Sequence, residues 1–171
     1  MRVINGFSGI IVVLFLLTIS ANSLAGQFKV TRVTDGDTVK VTGNDVKMTI
    51  RLVGIDAPET SKKKNQPGQP FSKKSTSYLA DLVLNKSAEV KSYGTDRYGR
   101  TLGVVFVDGK DINLEMVKAG LAEVYRGKPA GGFDLELYWN AEDKAKKTGI
   151  GMWSLGDKYI SPREWRRMHR K

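Results

Sequence analysis

The 171-residue chain contains no cysteine and one histidine, His169, close to its C-terminus. Without thiols there are no disulfides, so the fold must be held by its core and by what it binds. A His-Cys zinc site, a two-histidine ribonuclease mechanism and a Ser-His-Asp triad all lack their parts. Long apolar runs are also scarce. The one that occurs, Ile10 to Ile19, is short of the about 20 residues a membrane span needs. Arg2 precedes it and Ser23-Leu24-Ala25 follows, the layout of a secretory signal with a small-residue cleavage site. The expectation is a signal peptide over residues 1–25, cleavage after Ala25, and an exported protein, periplasmic or secreted, with no stable membrane anchor. An uncleaved N-terminal anchor is the alternative.

What is plentiful is positive charge. Lysine and arginine number 28 against 18 acidic residues, a net +10. Only Arg2 is lost with the signal, leaving +9 on residues 26–171. An exported basic domain points to a polyanion: nucleic acid, anionic lipid or acidic polysaccharide. By length the mature part is one domain, expected over residues 26–156, followed by a basic tail at 157–171.

Alternating apolar residues predict strands from Gln27 to Ile55, broken at Asp35-Gly36 and at Thr42-Gly43-Asn44-Asp45. Met48, Ile50 and Leu52 share one face, which puts Arg51 on the other. Two more strands follow at 88–93 and 102–107, joined by a turn carrying Asp96 to Arg100. Helical spacing predicts helices over 71–84, over 113–119 up to Gly120, and from Leu135 to near Gly149. Ser61 to Pro70 reads as a polar loop with three lysines. Ser161 to Lys171 is arginine-rich, with Pro162 at a plausible helix start. Five short strands and three helices in this order predict an α+β fold, a five-stranded OB-fold barrel.

Asp37, Asp56 and Glu59 are hard oxygen donors of the kind calcium and magnesium take. Pro58 fixes the backbone just after Asp56 and would pin the Ala57 carbonyl. Arg51 carries a fork that grips phosphate or pairs with a carboxylate. Tyr98, beside Arg97, suits stacking on a base or ribose. Each motif alone also has a plain structural reading, since Asp-Gly is an ordinary turn and Arg100 would suit a solvated hairpin tip.

Together, Asp35-Gly36-Asp37-Thr38, Arg51-Leu52, Asp56-Ala57-Pro58-Glu59-Thr60, Asp96-Arg97-Tyr98-Gly99-Arg100, Gly120-Leu121-Ala122 and Trp153 resemble the staphylococcal nuclease (thermonuclease) family in order and spacing. The resemblance covers roughly residues 28–153. It implies a calcium-dependent endonuclease that cleaves DNA and RNA with little sequence preference at the 5′-oxygen, leaving 3′-phosphate ends. It further implies calcium ligation by Asp37, Asp56 and the Ala57 carbonyl, with Asp35 supporting from outside. Glu59 would position or deprotonate the attacking water, and Arg51 and Arg100 would hold the scissile phosphate. Arg97 and Tyr98 would line the nucleotide site. After Gly120-Leu121-Ala122 the register runs one residue short of the family's stacking tyrosine, so Tyr125 stands as its substitute. A monomer is expected. A non-catalytic nucleic-acid-binding module of the same fold, and a binder of anionic surfaces, are the other readings.

Overall fold

A computed structural model describes residues 27–43, 45–61 and 65–169. The expected signal at 1–25 and the lysines at 62–64 lie outside them. Strand β1 (Gln27–Asp35) turns through Gly36 into β2 (Thr38–Gly43), and β3 (Val46–Leu52) returns along β2 with Arg51 opposite Thr38. Val39, Val41, Ile50 and Leu52 point inward and are fully buried. Two register shifts in β1 bend that strand, as bulges do in small barrels. A two-residue strand, β4 (Ile55–Asp56), follows before helix α1 (Ser72–Val83).

Strands β5 (Ser87–Thr95) and β6 (Thr101–Val107) form a hairpin, and β5 pairs with β1. The sheet closes because β6 lies parallel to β3, with Ile50, Arg51 and Leu52 opposite Thr101, Leu102 and Gly103. A side chain at Gly103 would meet Val90 Cγ1 at 2.9 Å and Ile50 Cγ2 at 3.2 Å, so glycine permits the approach. The result is the expected closed five-stranded barrel with α+β organisation. Two short pairings add to it: β7 (Lys110–Asp111) on β6, and β8 (Glu123–Val124) on β4.

Helix α2 (Ile112–Lys118) starts at Asp111, whose carboxylate accepts from the Leu114 amide at 2.9 Å. Its Asn113 is fully buried and stitches three segments together. The Nδ2 group donates to the Val53 and Gly103 carbonyls at 2.9 and 3.0 Å, and Oδ1 accepts from the Val105 amide at 3.2 Å. Helix α3 (Glu136–Thr148) buries Tyr138, Ala141 and Ala145, together with Glu142.

The three expected helices are present, but the structure has more. Residues Gly151–Lys158 form a 3-10 stretch, and α4 (Pro162–Met168) is a helix capped by Ser161, whose hydroxyl accepts from the Glu164 amide at 3.1 Å. They are eight and seven residues long, with too few turns for a periodic signal. No helix among the described residues is long and apolar enough to cross a membrane.

Candidate active site

The β1–β2 turn, β3 and β4 bring two carboxylates together. Gly36 sits against α1: a Cβ there would fall 2.0 Å from Ser75 Oγ and 2.7 Å from the Ala57 methyl. Glycine is needed for this close packing. The Ser75 hydroxyl is itself held by the Leu121 carbonyl at 2.8 Å, so turn, helix and the segment after α2 converge beneath the site.

Asp37 is buried, and each of its oxygens is engaged. One accepts from the Ala57 amide at 2.8 Å and pairs with Arg51 Nη1 at 3.0 Å, while the other accepts from the Thr38 hydroxyl at 3.1 Å. Arg51 Nη2 reaches Asp56 Oδ1 at 3.2 Å, and Nη1 also donates to the Leu52 carbonyl at 3.2 Å. One guanidinium thus spans both acids. Asp35 accepts from the Asp37 amide at 3.2 Å, which fixes the turn without touching Asp56.

Burial pushes the Asp37 carboxyl up to about 7; Arg51 pulls it down, while the charges of Asp35 and Asp56 raise it further. Two buried carboxylates bridged by one guanidinium offer hard oxygen donors of the kind calcium or magnesium takes. No cluster of three or more Asp, Glu, His or Cys side chains shaped for a metal occurs among the described residues. The Ala57 carbonyl and water would have to complete a shell begun by Asp37 and Asp56.

Glu59 lies three residues beyond Asp56, on a loop fastened by Gln69. The Glu59 amide donates to Gln69 Oε1 at 3.0 Å, and the Gln69 amide donates to the Glu59 carbonyl at 2.9 Å. Arg100 is placed differently. It leaves the turn just before β6, next to β3, but its guanidinium is bound to Asp96 at 2.7 and 2.8 Å rather than to the buried acids. Burial raises the Asp96 carboxyl, but hydrogen bonds from the Arg100 backbone and side chain outweigh this and hold it below the usual range. Tyr98 at the same turn is strongly exposed and lies between Arg97 and Arg100, 4.8 and 5.5 Å from its ring. Tyr125 follows β8 and is partly exposed, its amide donating to the Gly54 carbonyl at 2.9 Å. Its neighbour Arg126 turns away to Glu142 at 2.5 Å and covers the Trp139 ring at 4.4 Å.

Sequence reasoning missed two groups here. Arg166, from the tail, bonds both oxygens of Asp56 at 2.9 and 2.7 Å and Glu59 Oε1 at 2.5 Å. Glu123 stands opposite Asp56 across the β4–β8 pair, buried, with its Oε2 on the Tyr159 hydroxyl at 2.5 Å. Burial raises its carboxyl to about 7, against the pull of the Tyr159 hydroxyl and with a further push from Asp56. The arginine-rich Ser161–Lys171 stretch was the available signal for Arg166; nothing in the sequence marked Glu123.

Asp37 and Glu123 both keep protons to higher pH when folded than when unfolded. The folded metal-free chain therefore binds more protons between the ordinary carboxylate range and about 7. Their contribution to stability falls as pH rises through that window. Thermal melts in chelator at about pH 5 and about pH 8 are expected to show this, and Asp37→Asn should flatten the slope. An unchanged slope would reject the assignment for Asp37.

The sequence model of the Staphylococcal nuclease homologue family matches residues 49–155. An uncharacterized endonuclease of Haemophilus influenzae is 38% identical over 143 residues, covering 83% of this chain and 74% of that protein. A micrococcal nuclease of Shigella flexneri is 37% identical over 150 residues, covering 81% and 79%. A probable endonuclease of Scheffersomyces stipitis is 40% identical over 131 residues, covering 73% of this chain but only 55% of its own length. The family model begins inside β3 and so takes in Arg51, Asp56, Glu59 and Arg100, while Asp37 enters the same cluster through its pairing with Arg51. The chain belongs to the staphylococcal nuclease homologue family.

Proposed function

We propose that the chain is a calcium-dependent endonuclease that hydrolyses DNA and RNA with little sequence preference, cutting at the 5′-oxygen and leaving 3′-phosphate ends. The observation that carries this reading is Arg51 clamped between two buried carboxylates, Asp37 and Asp56, with Glu59 on the adjoining loop. Nothing in a merely binding module calls for buried acids in the path of a polyanion.

Asp37, Asp56 and the Ala57 carbonyl would hold the calcium. When bound, it supplies positive charge against the phosphate and orients water. Glu59 takes the proton from the attacking water as the water oxygen bonds to phosphorus. The bond to the 5′-oxygen breaks, and that oxygen leaves with a proton from solvent. Arg51 and Arg100 face the charge that builds on the phosphoryl oxygens, which for Arg100 requires exchanging Asp96 for phosphate. Arg97 and the exposed rings of Tyr98 and Tyr125 offer charge and stacking surface to the flanking nucleotides. The N-terminal 25 residues would direct export to the periplasm or the medium.

The test is cleavage of DNA and RNA with calcium, with magnesium alone, and with chelator, followed by analysis of the ends. Cleavage with calcium and 3′-phosphate ends are expected. Activity that survives chelation overturns the metal requirement. Binding without cleavage under calcium would make the chain a nucleic-acid-binding module instead.

A further inference from the structure

Arg166 arrives at the site from 110 residues beyond Asp56. The root of its helix is well fastened. Tyr159 donates to Glu123, the Ile160 carbonyl accepts from Gln69 Nε2 at 2.7 Å, and Pro162 is buried. Past that root, Arg163 and Arg167 are exposed, and Arg166 alone makes three hydrogen bonds to Asp56 and Glu59.

These bonds use the atoms on which the proposed chemistry depends. A carboxylate oxygen has two lone pairs to offer. Asp56 Oδ1 already accepts from Arg51 and from Arg166, and Oδ2 accepts from Arg166. Only one lone pair, on Oδ2, is left for a divalent cation, and a cation held there would lie beside the Arg166 guanidinium, which repels it in a largely buried pocket. Glu59 Oε1 is engaged by Arg166 Nη1, which competes with water for it.

We propose that Arg166 is a latch. It occupies Asp56 and Glu59 in the metal-free protein, and calcium opens it by taking Asp56. The inference rests on the calcium-dependent reading above and deepens it. Only α4 beyond Pro162 has to move, while Tyr159, Gln69 and the buried Pro162 keep the root in place. A polyanion pulls in the same direction, because its phosphates compete with the carboxylates for Arg163, Arg166 and Arg167. The site then stays shut until cation and substrate are both at hand.

The test is calcium titration by calorimetry of the full chain and of Arg166→Ala and Arg166→Lys, with amide hydrogen exchange of residues 162–168 in the unmutated chain. A latch closed about nine-tenths of the time lowers apparent affinity about tenfold, so Arg166→Ala should bind calcium about tenfold more tightly and Arg166→Lys by less. Calcium should also speed exchange across 162–168 relative to chelator, a reading that needs no variant to fold. Calcium affinity unchanged or weakened in Arg166→Ala, or exchange indifferent to calcium, overturns the latch. If the unmutated chain then still cleaves DNA with calcium, the proposed function stands without it. A chain that neither binds calcium nor cleaves overturns both.

Discussion

Arg51→Lys is expected to slow DNA cleavage by about 10²–10³-fold, the loss typical of removing one preorganised donor from the charge-stabilising part of an active site. The reason is geometric. Arg51 stands on β3 opposite Thr38, and its two terminal nitrogens divide between Asp37 at 3.0 Å and Asp56 at 3.2 Å. A lysine keeps the charge but presents it at one point on a flexible stem, so it can serve one carboxylate or a phosphate oxygen but cannot span the pair. The fall should appear in kcat more than in KM, since flanking contacts bind the polymer independently of this residue. Steady-state kinetics on a defined oligonucleotide, with circular dichroism to confirm folding, would check it. A variant within a few-fold of the parent rate would remove Arg51 from the catalytic group.

Asn113→Ala is expected to cost on the order of 4 kcal/mol of stability while leaving every proposed catalytic group in place. Asn113 is fully buried and has no route to water. Its removal strands the Val105 amide and the Val53 carbonyl; the Gly103 carbonyl still accepts from the Val53 amide at 2.9 Å. Each buried orphan costs roughly 1–3 kcal/mol, and the cavity adds to that. Urea unfolding should show a lower midpoint with little change in slope. A loss under about 1 kcal/mol would mean that the loop after β3 relaxes to pair elsewhere.

The strands were legible because a barrel wall buries one face, and β2 and β3 alternate accordingly from Thr38 to Leu52. The first three helices were legible from their apolar spacing, and the carboxylates and Arg51 from motif order. What stayed hidden has a common cause. Strands β4 and β8 are two residues each, too short for any period, yet their pairing sets Glu123 opposite Asp56. Glu142 lies among Tyr138, Ala141 and Ala145 on the buried face of α3, where spacing predicts an apolar residue. Only the fold supplies its partners: the Val124 amide at 2.8 Å, Arg126 at 2.5 Å and Lys146 at 2.7 Å. Arg166 was visible only as one more positive charge in a basic tail, because a contact spanning 110 residues leaves no local trace.

The parallel closure of β3 on β6 has a consequence for how the molecule comes into being. Its pairing joins residues about 50 apart in the chain, and β4 must wait for β8, which lies further still. Non-local pairings of this kind are slow to form, because loop entropy is lost before the contacts reward it. Every residue proposed to act on the phosphodiester bond lies before position 101, but the walls that align them are made by residues up to 159. A chain emerging from the ribosome therefore carries the residues of the proposed chemistry early, but they are aligned only once β8 and Tyr159 have arrived.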